Sequence, residues 1–422
     1  MIGRVLRVTV LLLGTVLFTA QSVSAATVKT YIARRTTTQS TATTGWSAVT
    51  GTAERGTAAS GNGWIAGSNF TVGSRYLIMV WGYHGTNNAN QNSGIRVTHG
   101  GSAFSESQTV EETDRTAAAY KQPYFWFTVW TAANEDVNVE YYVSGGTGTV
   151  DDITLVAMNA EGRISDSSLQ YTIDTAGGTL TYTATTKVSK TWTPANNGDT
   201  WWVGAYARYD INTITNNGVA GNLLVDASIY GSFSVDGEDT NDTPVYSSSF
   251  ATTFTNASHT VAMQLKQTVG PENWLAAGIF ALRLNYFEDF FINTVAGSQT
   301  LSAGLNNYNT AATVTKTLGK AGRWLVIGGS VIDDNDCRTT ARLLDGATAI
   351  TTEHGGWQTA IADLEPFEAA DLASYAAGVS HTFNYRARKT NTPSPDNNPA
   401  AVDAWLVGLY LESHRGRLMQ TK

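Results

Sequence analysis

Gly322-Arg323-Trp324-Leu325-Val326-Ile327-Gly328 reads as a turn followed by a strand that is apolar on both faces. The chain holds two counterparts, Ser74-Arg75-Tyr76-Leu77-Ile78-Met79-Val80 and Asp199-Thr200-Trp201-Trp202-Val203-Gly204-Ala205. Tyr76 and Trp201 stand 125 positions apart, Trp201 and Trp324 stand 123 apart, and this near-constant spacing marks an internal repeat. In the first copy Tyr76, Ile78 and Val80 alternate with Leu77, Met79 and Trp81. A sandwich core buries one of these sets, so the other needs a cover from a neighbouring module or a second chain.

Two further landmarks follow each of these strands in the same order. One is a strand of period 2, with Val261, Met263 and Leu265 against Ala262, Gln264 and Lys266, introduced by His259-Thr260. Its counterpart after His381-Thr382 sets Phe383, Tyr385 and Ala387 inward and Asn384, Arg386 and Arg388 outward, whereas Val137, Val139, Tyr141 and Val143 keep the alternation without a His-Thr pair. The other landmark is an apolar closing run, Ile153 to Met158, Leu275 to Leu284 and Ala404 to Leu411. Short β-rich runs such as Thr179 to Thr186 and turn clusters such as Ala195-Asn196-Asn197-Gly198-Asp199 lie between. The expected fold is all-β, three tandem antiparallel β-sandwich, jelly-roll-like modules after a signal peptide. The expected boundaries are a signal at 1–25, modules at 26–163, 164–290 and 291–414, and a basic C-terminal tail at 415–422. Only Asp363 to Ala377, rich in Ala, Leu and Glu, reads as a helix or a long loop.

The strand Trp324 to Gly328, the entry Gly378-Val379-Ser380-His381-Thr382-Phe383 and the closing Trp405 to Leu411 resemble tandem jelly-roll modules of the tumour-necrosis-factor or C1q-like type found in bacterial and phage structural proteins. The resemblance implies a jelly-roll fold and a structural role; the first module departs from it by lacking the His-Thr pair.

The first 25 residues have the anatomy of a secretory signal: Arg4 and Arg7, an apolar run from Val8, and the small-residue site Val23-Ser24-Ala25. The run is shorter than the roughly 20 residues of a spanning helix, so cleavage without a transmembrane anchor, and an extracellular or cell-surface location, are expected. Loss of Arg4 and Arg7 leaves a mature charge of about −10, which argues against nucleic acid as a partner. Cys337 is the single cysteine, so no intrachain disulfide forms and stability must come from cores.

No residue pattern signals catalysis. The chain has no Gly-x-Ser-x-Gly elbow, and the six histidines, among them His259 and His381, show no metal-ligand spacing. At their equivalent strand entries His259 and His381 are expected to support turns. Cys337 follows Asp333-Asp334-Asn335-Asp336, whose negative charge disfavours a thiolate. Glu111, Glu112, Glu365 and Glu368 supply carboxylates for a glycosidase pair, although sequence cannot place two of them across a groove. The oxygen-rich loops holding Asp236, Asp239 and Asp242, and Asp333, Asp334 and Asp336, are calcium candidates or acidic solvated turns, and no other cofactor is implied. Trp81, Tyr83 and Trp357 are candidates for stacking on glycans, with core packing as the competing use. Asn69, Asn241 and Asn256 open glycosylation sequons.

The expected function is that of a secreted, non-catalytic structural or adhesive protein of a virion, filament or cell surface. Its partners would be itself, other surface or structural proteins, or glycans, and three similar modules would multiply weak contacts. A secreted carbohydrate-binding or carbohydrate-degrading protein is the alternative.

Overall fold

The structure, a computed structural model, describes residues 30–88, 91–113, 122–160, 168–211, 215–237, 243–268, 270–301, 307–333, 338–351, 353–357, 364–389 and 399–411. The segments 1–25 and 415–422, expected to be a signal and a basic tail, and Cys337 lie outside them. Among the described residues there are strands and three short 3-10 turns, with no α-helix.

Strands β1 (Thr30–Arg35), β2 (Gln39–Thr41), β3 (Gly45–Ala48), β4 (Thr52–Arg55), β5 (Arg75–Thr86) and β6 (Gln91–His99) open the first repeat. It continues through β7 (Ser102–Ala103), β8 (Glu111–Thr113), β9 (Gln122–Thr131), β10 (Val137–Val143) and β11 (Gly148–Asn159). The second holds β12 (Leu169–Asp174), β13 (Gly178–Thr179), β14 (Thr185–Trp192), β15 (Asp199–Asp210), β16 (Thr215–Val225), β17 (Ser228–Gly237), β18 (Val245–Phe254), β19 (His259–Gln267) and β20 (Asn273–Arg283). The third holds β21 (Phe290–Thr300), β22 (Asn309–Thr317), β23 (Gly322–Asp333), β24 (Arg338–Asp345), β25 (Thr348–Ala349), β26 (His354–Trp357), β27 (Leu364–Tyr375), β28 (Ser380–Lys389) and β29 (Ala400–Tyr410).

One pairing order recurs. The first sheets run β1-β11-β5-β9, β12-β20-β15-β18 and β21-β29-β23-β27. The second sheets run β3-β10-β6 with β8 on the far side of β6, β14-β19-β16-β17, and β22-β28-β24 with β26 on β24. Setting aside the short accessory strands, the first, eighth, third and sixth strands make one sheet and the second, seventh, fourth and fifth the other. That is the strand order of a jelly roll. The pairing Ser234↔Leu364 joins β17 to β27, so a sheet of the second repeat continues into one of the third.

The turn before each long central strand has a local cause in glycine. Gly73, Gly198 and Gly322 take φ of 82°, 84° and 137°, a region L side chains rarely adopt, shortly before Tyr76, Trp201 and Trp324. Those aromatics then face the interior of their own repeats. Tyr76 packs on Phe70 at 5.0 Å, Trp201 on Trp192 at 5.3 Å, and Trp324 on Tyr410 at 5.7 Å between ring centroids.

The Ala-, Leu- and Glu-rich segment expected to be a helix or a loop is strand β27. It pairs with β23 from Gly322↔Tyr375 to Asp333↔Leu364, and the bonds and burial gained there outweigh helix propensity. Gly94 on β6 shows how closely the repeats are built: a Cβ there would lie 2.1 Å from the Thr109 carbonyl oxygen. Gly94→Ala is expected to cost about 1–3 kcal/mol in urea unfolding, because the obstacle is backbone and cannot swing aside. An unchanged midpoint would show that the Thr109 segment yields.

Candidate functional site

The second apolar face of each central strand meets the other repeats. Trp202 of β15 stacks near Trp81 of β5 at 6.2 Å and Phe125 of β9 at 6.4 Å, meets Phe280 of β20 edge-on at 4.8 Å, and lies 6.3 Å from Trp405 of β29. Phe127 of β9 meets Tyr206 at 4.9 Å and Phe280 at 4.7 Å, both edge-on. Leu325, Ile327 and Val407 belong to the same buried cluster. The cover that the two-faced strands require is therefore the other two repeats of the same chain, and the described residues form one compact unit.

Polar ties edge this aromatic seam. Between the first and second repeats, Thr243 N–H donates to the Val110 carbonyl at 2.7 Å and Arg208 to the Ser105 carbonyl at 2.8 Å. Between the first and third, Arg55 donates to the Leu411 carbonyl at 2.8 Å and the Tyr83 hydroxyl to the Glu368 carbonyl at 2.7 Å. Arg34 bonds the Leu372 carbonyl and pairs with Asp371 at 3.4 Å and Glu54 at 3.6 Å, and Glu54 also takes Arg323. Burial pushes the Asp371 carboxyl up to about 6 even beside Arg34.

Glu368 is a buried carboxyl of the seam. Its side chain is 5% exposed and borders two narrow clefts, one with Ser248, Ser330 and Trp405, the other with Phe125, Val245 and Tyr246. Neither carboxyl oxygen has a hydrogen-bond partner at normal geometry. Burial pushes its pKa up to about 8, and the neighbouring Ser249 hydroxyl and Trp81 indole offset only part of that. Glu111 is also buried and is pushed up to about 7 by desolvation, against hydrogen bonds from Thr109 at 2.6 Å and Tyr246 at 3.5 Å. His84 lies 3.8 Å from Glu111, but burial lowers His84 to about 3, so the imidazole is neutral near pH 7 and the contact is not an ion pair. Its Nδ1 shares a hydrogen bond with the Ser93 hydroxyl at 2.9 Å. Glu111 and Glu368 are thus core groups that present no carboxylate to a polysaccharide; the side chains of Glu112 and Glu365 lie outside the described residues.

His259 and His381 hold turns. Nδ1 of His259 meets Asp226 at 2.6 Å and Nδ1 of His381 meets Asp345 at 2.7 Å, each aspartate standing at the end of the neighbouring strand. Burial would raise Asp226, but the His259 and Thr260 N–H bonds outweigh it and hold its carboxyl below the usual range. The first repeat, which lacks the His-Thr pair, makes the same clasp with the partners exchanged: His99 ends β6 and meets Glu135, before β10, at 2.6 Å.

Trp81 and Tyr83 are 1% and 2% exposed, so the sugar-stacking role expected of them gives way to packing: Trp81 stacks on Phe125 at 5.0 Å. The cause is the seam, which takes the face that a lone sandwich would leave open. Trp357 lies on β26 with its side chain outside the described residues, as do Asp239, Asp242, Asp334, Asp336 and the side chain of Asp236. Asp333 ends β23, where burial raises its pKa. Among the described residues no three His, Cys, Asp or Glu side chains cluster as metal ligands. The Asn69 amide is engaged with Thr57 and Ala66, which a glycan there would disrupt. Sequence reasoning missed Glu368 as a seam residue, since the Ala- and Glu-rich composition around it mimics a helix.

No protein-family model matches the chain, and no curated protein matches it in sequence. Among solved structures, it is similar to a triple jelly roll of an archaeal virus turret assembly, with 11% identity, 80% of this chain and 79% of that one covered, and a TM-score of 0.20. A second likeness is to PNGase F, a glycosylasparaginase from Flavobacterium meningosepticum, with 8% identity, 57% and 96% coverage and a TM-score of 0.29. A third is to infectious bursal disease virus Gt strain, with 8% identity, 89% and 81% coverage and a TM-score of 0.21. At TM-scores this low the likenesses carry no weight, and the jelly-roll order rests on the strand pairing itself.

Proposed function

We propose that the chain is an exported, non-catalytic structural or adhesive protein, a component of a virion, filament or cell-surface layer whose partners are copies of itself or other surface proteins. The supporting observation is Trp202, whose ring contacts join all three repeats through one aromatic core. Such a core makes a stiff block from units that would otherwise move as beads, which suits a protein that transmits load or holds a lattice geometry. A relationship to the tumour-necrosis-factor or C1q-like type belongs to the same proposal, supported by the eight-strand order. The carbohydrate reading keeps one support: on the outer sheet of the first repeat, half-buried Trp46 and Tyr142 lie 5.3 Å apart with Arg96 4.4 Å above Trp46.

The test is light scattering with electron microscopy on the chain lacking residues 1–25, run beside a glycan array and a reducing-sugar assay. Concentration-dependent particles, filaments or sheets are the expected result. A chain that stays monomeric at every concentration while binding or cleaving a glycan overturns the proposal in favour of the carbohydrate reading.

A further inference from the structure

The outer sheet of the third repeat carries a concentration of positive charge that the chain's composition does not explain. Acidic residues outnumber basic ones, 35 to 27, yet Arg342, Arg386 and Arg388 gather on one face of the β24–β28 pair. The alternate residues Ala341, Leu343, Phe383, Tyr385 and Ala387 are buried in the core, so strand periodicity sends the arginines outward. Register sets Arg342 directly opposite Arg386. Cross-strand partners stand about 5 Å apart at Cβ, and like charges there repel.

The cluster's carboxylate is already committed. Glu353 takes Arg388 through Nε at 2.5 Å and Nη2 at 2.6 Å, and also accepts the Thr340 hydroxyl. Arg388 and Arg342 lie over the two-sided ring of Tyr308, 4.7 Å and 3.9 Å from its centroid. Among the described residues no carboxylate pairs with Arg342 or Arg386, and Nε of each is shielded from solvent without an acceptor. Two adjacent guanidinium groups, with no carboxylate partner among the described residues, therefore lie side by side on the outer face of the sheet. A guanidinium fork matches the oxygen spacing of an oxyanion and binds it through paired hydrogen bonds.

We infer that Arg342 and Arg386, with Arg388 and Tyr308 as their support, form a binding site for a tetrahedral oxyanion, a sulfate or phosphate group. The bound group cancels the repulsion across the strand pair, so the site gains more from an anion than two separate surface arginines would. The inference does not depend on the assembly reading, because it rests on Arg342, Arg386, Arg388 and Tyr308 alone.

The test is calorimetric titration of the chain lacking residues 1–25 with sodium sulfate and with sodium phosphate, at ionic strength fixed with sodium chloride. A sulfated disaccharide and glycerol phosphate serve as further probes of the group's source. Saturable binding of one or both inorganic anions is expected, weakened at least tenfold in Arg342→Gln and in Arg386→Gln. Because both substitutions sit on an outer face and relieve repulsion, each variant is expected to melt no lower than the parent without anion. Tighter binding of the sulfated sugar identifies a sulfated glycan as the source, and tighter binding of glycerol phosphate a phosphorylated one. Heats no larger than those of sodium chloride alone, or equal affinities in parent and both variants, overturn the inference.

Discussion

Trp202→Ala is expected to lower unfolding stability by about 3–5 kcal/mol, the range for truncating a fully buried tryptophan. Trp202 is 0% exposed and touches Trp81 and Phe125 of the first repeat, Phe280 of its own and Trp405 of the third. Its loss opens a cavity at the place where three rigid sheets meet, and rigid sheets collapse poorly into a void. Ring–ring contacts worth about 0.5–1.5 kcal/mol each are forfeited as well. Guanidinium unfolding followed by tryptophan fluorescence is the measurement, with Trp46→Ala on the outer face as the control of smaller cost. Because Trp202 couples the repeats, the variant is also expected to unfold in more than one step where the parent shows a single one. A loss no greater than that of the Trp46 control, in a single transition, would show that the seam is not a source of stability.

The second large effect is a dependence on pH centred on Glu368. The Glu368 carboxyl titrates near 8 in the folded chain and near 4.5 when unfolded. At a pH below the unfolded value both states hold the proton and the folded chain keeps its full stability. Between the two values only the unfolded chain releases it, so stability falls as pH rises through this window and levels off above about 8. Glu111, near 7, and Asp371, near 6, add slopes of the same sign over narrower windows. His84, lowered to about 3, opposes them, since stability is lost as pH falls from 6.5 toward 3.

Glu368→Gln keeps the shape of the neutral carboxyl and removes its ionisation. The variant is expected to melt close to the parent near pH 4.5 and well above it near pH 9, a difference on the order of a few kcal/mol. Melting temperatures of both proteins across this range check it. Parallel curves would sink the assignment.

The strand Leu364–Tyr375 shows where composition misleads. Ala369, Ala370 and Leu372 favour a helix locally, but register with Gly322–Asp333 buries them and sets Glu368 in the seam. The histidine clasps show the reverse. His259 and His381 were legible as turn supports because they sit at equivalent strand entries, while the exchanged pair is not legible that way, because His99 ends a strand and Glu135 precedes the next, the reverse of their counterparts. The outward-facing Arg386 and Arg388 were readable from alternation, but their convergence with Arg342 depends on register between strands some forty residues apart in the chain.

The sequence by itself determined the β class, the recurrence of the central strand near Tyr76, Trp201 and Trp324, and the need to cover a second apolar face, because alternation and glycine turns are local properties of the chain. Tertiary structure alone decided what covers that face. The seam assembles residues such as Trp81, Trp202 and Trp405 from three distant segments, and their burial changed two candidate sugar-stacking residues into core and a helix-like carboxylate into an uncharged group of the interior. The physical reason is that periodicity states how a strand divides its side chains between two faces, while which surface meets each face depends on contacts between elements that sequence spacing does not encode.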